Sequence, residues 1–221
     1  MIKISDRLLA IAQYIKDDAK IIDIGCDHAL LDIYLAQKHH NLHLIISDIN
    51  QDALAMGITN LKKYQLETRI EARLGNGLDV VNPEEINTVI ISGLGAHKIV
   101  GILLYNQNKL INVEQLVLQS NNNIDFLRAK ITKMGFYIEN ETLVKENGII
   151  YTVINFIRGK KKYNTKEIYF GPILLKEQNE LFKEKNNQDL AKLESLLKVI
   201  PKNKYFYRNR IKKKIKLYPQ N

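Results

Sequence analysis

The first residues in the chain whose types and spacing suit chemistry form the run Asp23-Ile24-Gly25-Cys26-Asp27-His28. The apolar residues around its start predict a buried strand that ends at Gly25, where the lack of a side chain lets the backbone approach a ligand. Asp27 and the opening amides of the helix that follows would face that ligand at the carboxyl edge of a sheet, where such folds bind nucleotides. The run therefore predicts a cofactor turn, and the alternative is a structural turn that Asp27 caps.

A second acid, Asp48, ends the next predicted strand. A carboxylate at that place can accept both ribose hydroxyls of an adenosine group. A dinucleotide would need the three glycines of a G-x-G-x-x-G turn, which the residues after Gly25 lack, and Asp27 would repel its pyrophosphate. The same negative charge attracts the sulfonium and ammonium groups of S-adenosylmethionine, which is the cofactor that the sequence predicts.

Two glycine-containing loops follow the third and fourth predicted strands at the same edge of the sheet. The amide of Asn76, between Gly75 and Gly77, can pair with N1 and N6 of adenine, although a Gly-Asn-Gly run is more often a plain turn. The glycines of Ser92-Gly93-Leu94-Gly95 suit a close approach to the reacting atoms, and the alternative is an ordinary strand-to-helix turn. The predicted cofactor-binding residues are Asp23, Gly25, Cys26, Asp27, His28, Asp48, Ile49, Asn76, Gly77, Gly93 and Leu94.

The elements that must position these residues follow an alternating order. Short apolar runs alternate with segments of helical spacing, which predicts βαβ units, and two longer strands at 136–143 and 149–157 meet in a hairpin at Asn147-Gly148. The predicted fold class is α/β, a Rossmann-like class I methyltransferase sheet that is mostly parallel with an antiparallel last strand. Helical spacing over 173–199 and 205–216 predicts a C-terminal helical hairpin or coiled coil. We therefore expect a cofactor-binding domain at 1–158 and a basic helical domain at 159–221.

The positive charge is concentrated in the second of these domains. Residues 1–158 contain 16 Lys and Arg against 18 Asp and Glu, a net charge of −2, and residues 159–221 contain the other 17 against 6, a net charge of +11. This asymmetry predicts a part that binds a polyanion; a lysine-rich composition alone would not explain the one-sided placement. The single cysteine excludes an intramolecular disulfide and a cysteine-cluster zinc site. With no signal peptide or membrane-spanning run recognisable, we expect a cytoplasmic protein without a membrane partner.

Together these runs resemble bacterial tRNA (adenine-22-N1)-methyltransferases of the TrmK type. The family's first motif is similar to D-I-G-S-D-H-A-Y-L-P, and residues 23–32 read D-I-G-C-D-H-A-L-L-D. The family's R-x-G-D-G-L and A-G-M-G-G motifs are matched by residues 73–78 and 92–96, and the resemblance spans about residues 3–158 and extends to the C-terminal helices. The chain departs from the family pattern at Cys26, Leu30, Asp32, Asn76 and Ala96.

The resemblance implies methyl transfer to N1 of adenine 22 in the D-arm of tRNA. The chain agrees in lacking, after the fourth strand, the N/D-P-P-Y/F/W motif with which other methyltransferases orient an exocyclic amine. Adenine N1 attacks the methyl group with an in-plane lone pair and needs no strong base, so alignment and exclusion of water would dominate catalysis. The predicted residues near the target are Asp27, His28 and Gly95, and His28 can equally orient the turn or contact the cofactor tail. His39, His40 and His43 lack partners at ligand spacing, so no metal is predicted.

A base in the D-arm stem must be extruded before it can react, and the basic C-terminal part can supply the backbone contacts that hold the tRNA. The predicted RNA-binding residues are Lys160, Lys161, Lys162, Arg208, Arg210, Lys212, Lys213 and Lys214. Two alternatives stay open. A small-molecule methyltransferase would leave the basic part unexplained, and a catalytically impaired protein that binds S-adenosylmethionine or RNA is suggested by Asn76 and Leu30. The expected state is a monomer.

Overall fold

The computed structural model describes residues 1–218. In chain order the elements are α1 (Asp6–Ala12), β1 (Lys20–Ile24), α2 (Leu30–Lys38), β2 (His43–Asp48), α3 (Gln51–Lys63), β3 (Ile70–Leu74), β4 (Thr88–Leu94), α4 (Ala96–Tyr105), β5 (Gln115–Ser120), α5 (Ile124–Lys133), β6 (Phe136–Glu146), β7 (Ile149–Arg158), α6 (Thr165–Phe170), α7 (Leu174–Glu177), α8 (Glu180–Val199) and α9 (Tyr205–Ile215), with 3₁₀ turns at Gly77–Val80 and Gln107–Leu110.

Within these residues, seven strands form one sheet in the order β3-β2-β1-β4-β5-β7-β6. β3, β2, β1, β4 and β5 pair in parallel, and β7 runs antiparallel to both β5 and β6. The predicted Rossmann-like sheet, mostly parallel with an antiparallel last strand, is therefore confirmed, and this last strand, β7, lies between β5 and the edge strand β6. The strand order reverses between β1 and β4, which is the place where open sheets of this kind form a crevice for a ligand.

Two apolar layers cover the two faces of the sheet. Because successive side chains of a strand point to opposite faces, Ile21 packs in one layer with Leu44 and Ile46, and Ile22 packs in the other with Ile45. The near-continuous apolar runs in β1 and β2 are what a strand covered on both faces requires. A ligand is therefore left with the edge of the sheet.

The hairpin between β6 and β7 turns at Asn147 and Gly148, with φ of +50° and +80°. Two successive residues of positive φ match the right-handed twist of the strands, and Asn-Gly is the pair that adopts them most readily. The predicted tip is confirmed.

The chain divides into two compact units, Met1–Ile173 and a second that begins at Leu174. Residues 159–173, which the sequence placed in the basic domain, are part of the first unit, because Arg128 of α5 donates to the carbonyls of Ile168 and Tyr169. In the second unit the helical spacing over 173–199 is interrupted at Gln178, whose φ is +44°. The C-terminal helices α8 and α9 pack together, as predicted.

A buried ion pair fixes the end of the first unit. Nε of Arg128 lies 2.6 Å from Oε1 of Glu141, and their side chains are 2% and 0% exposed. Gly171 lies against the pair, where a side chain would collide with both partners. The backbone N–H of Ile173 donates to Oε2 of Glu141 at 3.3 Å, so the pair also holds the last residue of the unit.

Glu141→Gln should lower the free energy of unfolding by about 3–5 kcal/mol, because it leaves the Arg128 charge buried without its counter-ion. Urea unfolding followed by circular dichroism measures the loss. The matched control is Lys183→Gln, which breaks an exposed ion pair with Glu180 in α8 and should cost less than about 1 kcal/mol. Equal effects of the two substitutions would contradict the assignment.

Candidate active site

A pocket of about 670 Å³ lies at the carboxyl ends of β1, β2 and β4. This volume is in the range of sites that take a small organic ligand. All the predicted cofactor-binding residues line it: Asp23, Gly25, Cys26, Asp27, His28, Asp48, Ile49, Asn76, Gly77, Gly93 and Leu94. Of the residues predicted near the target, Asp27 and His28 line the pocket. Gly95 does not; it caps α4 and lies against the side chain of Asn122.

The turn after β1 has an unusual backbone. Gly25, Asp27 and Ala29 have φ of +78°, +48° and +54°, a conformation that costs energy for the two residues with side chains. The N–H groups of Gly25 and Cys26 both donate to the carbonyl of Ser47, at 2.8 and 3.3 Å, and anchor the turn to β2. No atom lies within 4 Å of where a Cβ of Gly25 would be, so the space above it is open to a ligand.

Two acids, Asp27 and Asp48, line the pocket. The side chain of Asp27 is 74% exposed, and its Oδ1 lies 3.7 Å from Nε2 of His28. Asp48, at the end of β2, accepts the N–H of Asn50 at 2.8 Å through Oδ1. Beside it Ile49 is 64% exposed, an apolar side chain at the mouth of the pocket. The pocket therefore combines negative charge with an apolar surface, as a cationic nucleoside requires.

The glycines around Asn76 have a packing reason. A Cβ at Gly75 would collide with Val80, and one at Gly77 would lie 2.7 Å from Ile102. The alternative of a plain turn therefore accounts for the two glycines, and Asn76 itself lines the pocket.

A pair of buried carboxyls lies beneath the pocket. Burial raises the pKa of Asp23 to about 7, a hydrogen bond with Asp32 opposes the rise, and the negative charge of Asp48 adds to it. Burial, followed by the charge of Asp23 and the hydrogen bond to it, raises the pKa of Asp32 well above its usual range. Neither oxygen of Asp32 meets an N–H or O–H of another residue in the described chain. The raised pKa of Asp32 favours a protonated carboxyl, which can donate to Asp23, since two carboxylates cannot hydrogen-bond without a proton.

Cys26 is not a nucleophile. Burial is the main cause that raises the pKa of its thiol, the nearby acids Asp23 and Asp48 add to the rise, and the residue is 8% exposed. A thiol held protonated is inert, so Cys26 lines the pocket as a small apolar side chain.

Further residues at the pocket were missed from the sequence. They are Lys3, Ile4, Ser5, Arg7, Leu8, Leu30, Leu31, Ser92, Lys98, Ile102 and Glu146. Among them, Arg7 could have been found from the sequence. It stands one helical turn before the apolar Ile11, which puts a cation on the buried face of α1.

The predicted RNA-binding residues belong to both units. Lys160, Lys161 and Lys162 are exposed after β7, and Nζ of Lys161 lies 3.7 Å from the carboxylate of Glu139. In α9, the side chains of Arg210, Lys212 and Lys213 are exposed and Lys214 is half-buried. Arg208 donates to the carbonyls of Leu197 and Ile200, so its guanidinium also ties α9 to the end of α8.

Residues 1–218 lack two other features, a metal site and a membrane-spanning helix. They contain no group of three His, Cys, Asp or Glu side chains that could hold a metal ion. His39, one of the clustered histidines, lies 2.6 Å from the carboxylate of Asp17. No helix in the same residues has the length and apolar character needed to cross a membrane.

The buried pair predicts a pH dependence of stability. The pKa values of Asp23 and Asp32 are raised in the folded state, so the folded protein keeps these protons to a higher pH than the unfolded chain does. The free energy of unfolding therefore falls as pH rises above about 3.9, the pKa of an unfolded Asp. The contribution of Asp23 to this fall ends near its folded pKa of about 7. Asp32→Asn keeps a donor to Asp23 but cannot ionise, so stability should fall less steeply, by up to about 1.4 kcal/mol per pH unit.

Urea unfolding between pH 4.5 and 7.5 measures the two slopes, with the exposed Asp18→Asn as the matched control. The control should keep the wild-type slope. A slope for Asp32→Asn equal to that of the wild type would show that the two carboxyls do not share a proton.

Comparison with known proteins agrees with this geometry. The family model for tRNA (adenine(22)-N(1))-methyltransferase matches residues 21–219. The tRNA (adenine(22)-N(1))-methyltransferase of Bacillus subtilis is 30% identical over 205 residues, which are 90% of this chain and 86% of that protein. The structure of a putative tRNA (m1A22) methyltransferase from Streptococcus pneumoniae in complex with S-adenosyl-L-methionine is similar with a TM-score of 0.89 and 30% identity, over 97% of each chain.

The structure of M. capricolum TrmK in complex with S-adenosyl-homocysteine is similar with a TM-score of 0.84 and 29% identity, over 97% of this chain and 95% of that one. The similarity to these proteins thus includes the C-terminal helices as well as the sheet. The chain belongs to the tRNA (adenine(22)-N(1))-methyltransferase family.

Proposed function

We propose that this protein transfers the methyl group of S-adenosylmethionine to N1 of adenine 22 in the D-arm of tRNA. The observation that carries the proposal is the pocket at the ends of β1, β2 and β4, which combines the exposed acid Asp27, the strand-two acid Asp48 and the open space above Gly25. Membership of the family supplies the substrate and the position of the methylated base.

The residues of the pocket fit S-adenosylmethionine on chemical grounds. When bound, this cofactor supplies a methyl group made electrophilic by its sulfonium. The Asp27 carboxylate is 74% exposed and can attract the cationic groups of the methionine part, while Asp48 can accept the ribose hydroxyls. Ile49 presents an apolar side chain beside Asp48, where an adenine ring can lie against it.

The target base approaches from the side of β4. Adenine N1 carries its lone pair in the plane of the ring, so the protein has to align the base and keep water out rather than remove a proton. The base would lie beside His28 and the exposed Gly93, with Asp27 between it and the cofactor; all three residues line the pocket. Base 22 lies in a stem, and extruding it costs a few kcal/mol that contacts elsewhere on the tRNA must offset.

The basic residues of the second unit can supply these contacts. In the sequence from residue 195 to 221 there are nine Lys and Arg and no Asp or Glu. Tyr205, Phe206 and Tyr207 at the start of α9 are 65%, 89% and 50% exposed, so aromatic rings stand beside the cations. Phosphate contacts by Lys and Arg, together with stacking of rings on bases, are the usual means of holding RNA.

A tRNA transcript with adenine at position 22 should accept one methyl group from labelled S-adenosylmethionine, and the same transcript with guanine at 22 should stay at background. Filter-bound radioactivity measures both. Equal labelling of the two transcripts would contradict the assignment of the base. If calorimetry detects no binding of S-adenosylmethionine, the impaired RNA-binding alternative would be correct.

Lys212→Gln with Lys213→Gln should weaken tRNA binding and reduce the slope of log affinity against log salt by about 1–2, because up to two phosphate contacts are lost. Filter binding at several salt concentrations measures the slope. The matched control is Lys62→Gln with Lys63→Gln, which removes the same charge from exposed positions in α3 and should leave the slope unchanged. An unchanged slope for the α9 variant would contradict the role of this helix.

A further inference from the structure

The last residues of β4 contain a bulge at Gly93. Ser92 pairs with Gln119 of β5 and Leu94 pairs with Ser120, so Gly93 is an extra residue in β4, and its φ is +79°. Bulges of this kind occur beside active sites, where they change the direction of the backbone. Gly93 lines the pocket, and the proposed function puts the target base on its side.

Side chains hold both polar backbone atoms of Gly93. Its N–H donates to Oε1 of Gln119 at 2.9 Å, and its carbonyl accepts Nδ2 of Asn121 at 2.6 Å. Gln119 and Asn121 are themselves joined, since Nε2 of Gln119 donates to Oδ1 of Asn121 at 3.1 Å. The peptide at Gly93 is therefore fixed by two amide side chains that are fixed to each other.

Arg7 holds the first of these amides. Its Nη1 donates to Oε1 of Gln119 at 2.9 Å and lies 3.2 Å from Oγ of Ser92. The guanidinium carbon lies 5.2 Å from the centre of the Tyr151 ring, and the backbone N–H of Arg7 donates to Glu146 at 3.3 Å. The Ser92 hydroxyl also donates to this Oε1, at 3.0 Å, but a hydrogen bond from a charged donor is about twice as strong as a neutral one, so Arg7 is the strongest hold on the buried Gln119 amide.

We propose that Arg7 is a positioning residue for methyl transfer, which acts through Gln119 to hold the Gly93 peptide against the reacting atoms. This inference rests on the proposed function, because it assumes that the transfer takes place beside Gly93. A displacement of about 1 Å at a reacting centre can cost about a hundredfold in rate, which sets the scale of the expected effect.

Arg7→Gln is the first test, since glutamine removes the charge and shortens the donor. Single-turnover transfer to the tRNA transcript should slow by about tenfold to a hundredfold. The affinity for S-adenosylhomocysteine, measured by calorimetry, should change by less than about threefold. A large loss of that affinity with an unchanged rate would instead make Arg7 a direct cofactor ligand and overturn the proposal.

Arg69→Gln is the matched control. Arg69 is also half-buried and donates to the carbonyls of Ala36 and His39, away from the pocket. This variant should lose thermal stability and keep the wild-type rate at a temperature below its melting point. An equal loss of rate in Arg7→Gln and Arg69→Gln would show that general destabilisation is the cause.

The route through Gln119 has its own test. In a cycle with Gln119→Leu, the double variant should react no more slowly than Gln119→Leu alone, because the same interaction is already lost. Losses that multiply would contradict the route.

If Arg7→Gln does not fold, Asn121→Ala is the substitute variant. Asn121 is exposed and its side chain donates to the carbonyl of the same Gly93. Asn121→Ala should slow transfer similarly, and a wild-type rate would overturn the proposal.

Hydrogen exchange of the Gly93 amide, followed by NMR, separates this inference from the proposed function. Gly93 is exposed, so its amide should be protected by the bond to Gln119 and should exchange faster in Arg7→Gln. If the wild type transfers no methyl group but Arg7→Gln still exposes this amide, the proposed function is wrong and the positioning contact stands. Equal exchange in both proteins would mean that Arg7 does not hold the peptide.

Discussion

The parallel pairing of β1 between β2 and β4 is the constraint on which the whole site depends. Ile24 lies opposite Ser47 on one side and Ile91 on the other, so the three strands end together. The chain continues from β1 and β4 to opposite faces of the sheet, which opens a crevice between their ends. Each loop of the pocket leaves one of these strands, and the acid of β2, the turn of β1 and the bulge of β4 meet because of this register.

Around the crevice, buried polar groups do the positioning. Asp32 is buried beside Asp23 with its pKa raised, and Arg7 donates to the buried Gln119. Leaving a buried polar group without a hydrogen-bond partner costs about 1–3 kcal/mol, so each of these side chains is held in the orientation that keeps its partner. Two such pairs would suit a reaction that depends on alignment more than on acid–base chemistry.

The sequence was most informative where the structure is local. Apolar runs ending in glycine located β1 and β4, and Asn147-Gly148 located the hairpin, because each depends on neighbours in the chain. The pocket residues at strand ends were predictable for the same reason. Arg7 and Gln119 are 112 residues apart, and no spacing rule joins them. In the sequence, Asp32 was noted only as a departure from the family motif. Its burial against Asp23 depends on how α2 packs on the sheet, which the spacing of residues does not predict.

The position at which the first unit ends could not be predicted from the sequence either. A change in charge placed the boundary after residue 158, but contacts rather than charge decide which unit a segment joins. α6 begins with a capping box made by Asn164 and Glu167. This helix was not predicted because the segment is short and polar. The carbonyls at its end reach the buried Arg128, and that contact keeps residues 159–173 with the sheet.

Methylation of a ring nitrogen of one adenine in tRNA can be tested by mass spectrometry of nucleosides and of nuclease fragments from a tRNA transcript treated with the protein and S-adenosylmethionine. We expect 1-methyladenosine, confined to the fragment that contains position 22. Methyl groups on the exocyclic amine, on another nucleotide, or on no nucleotide would contradict it.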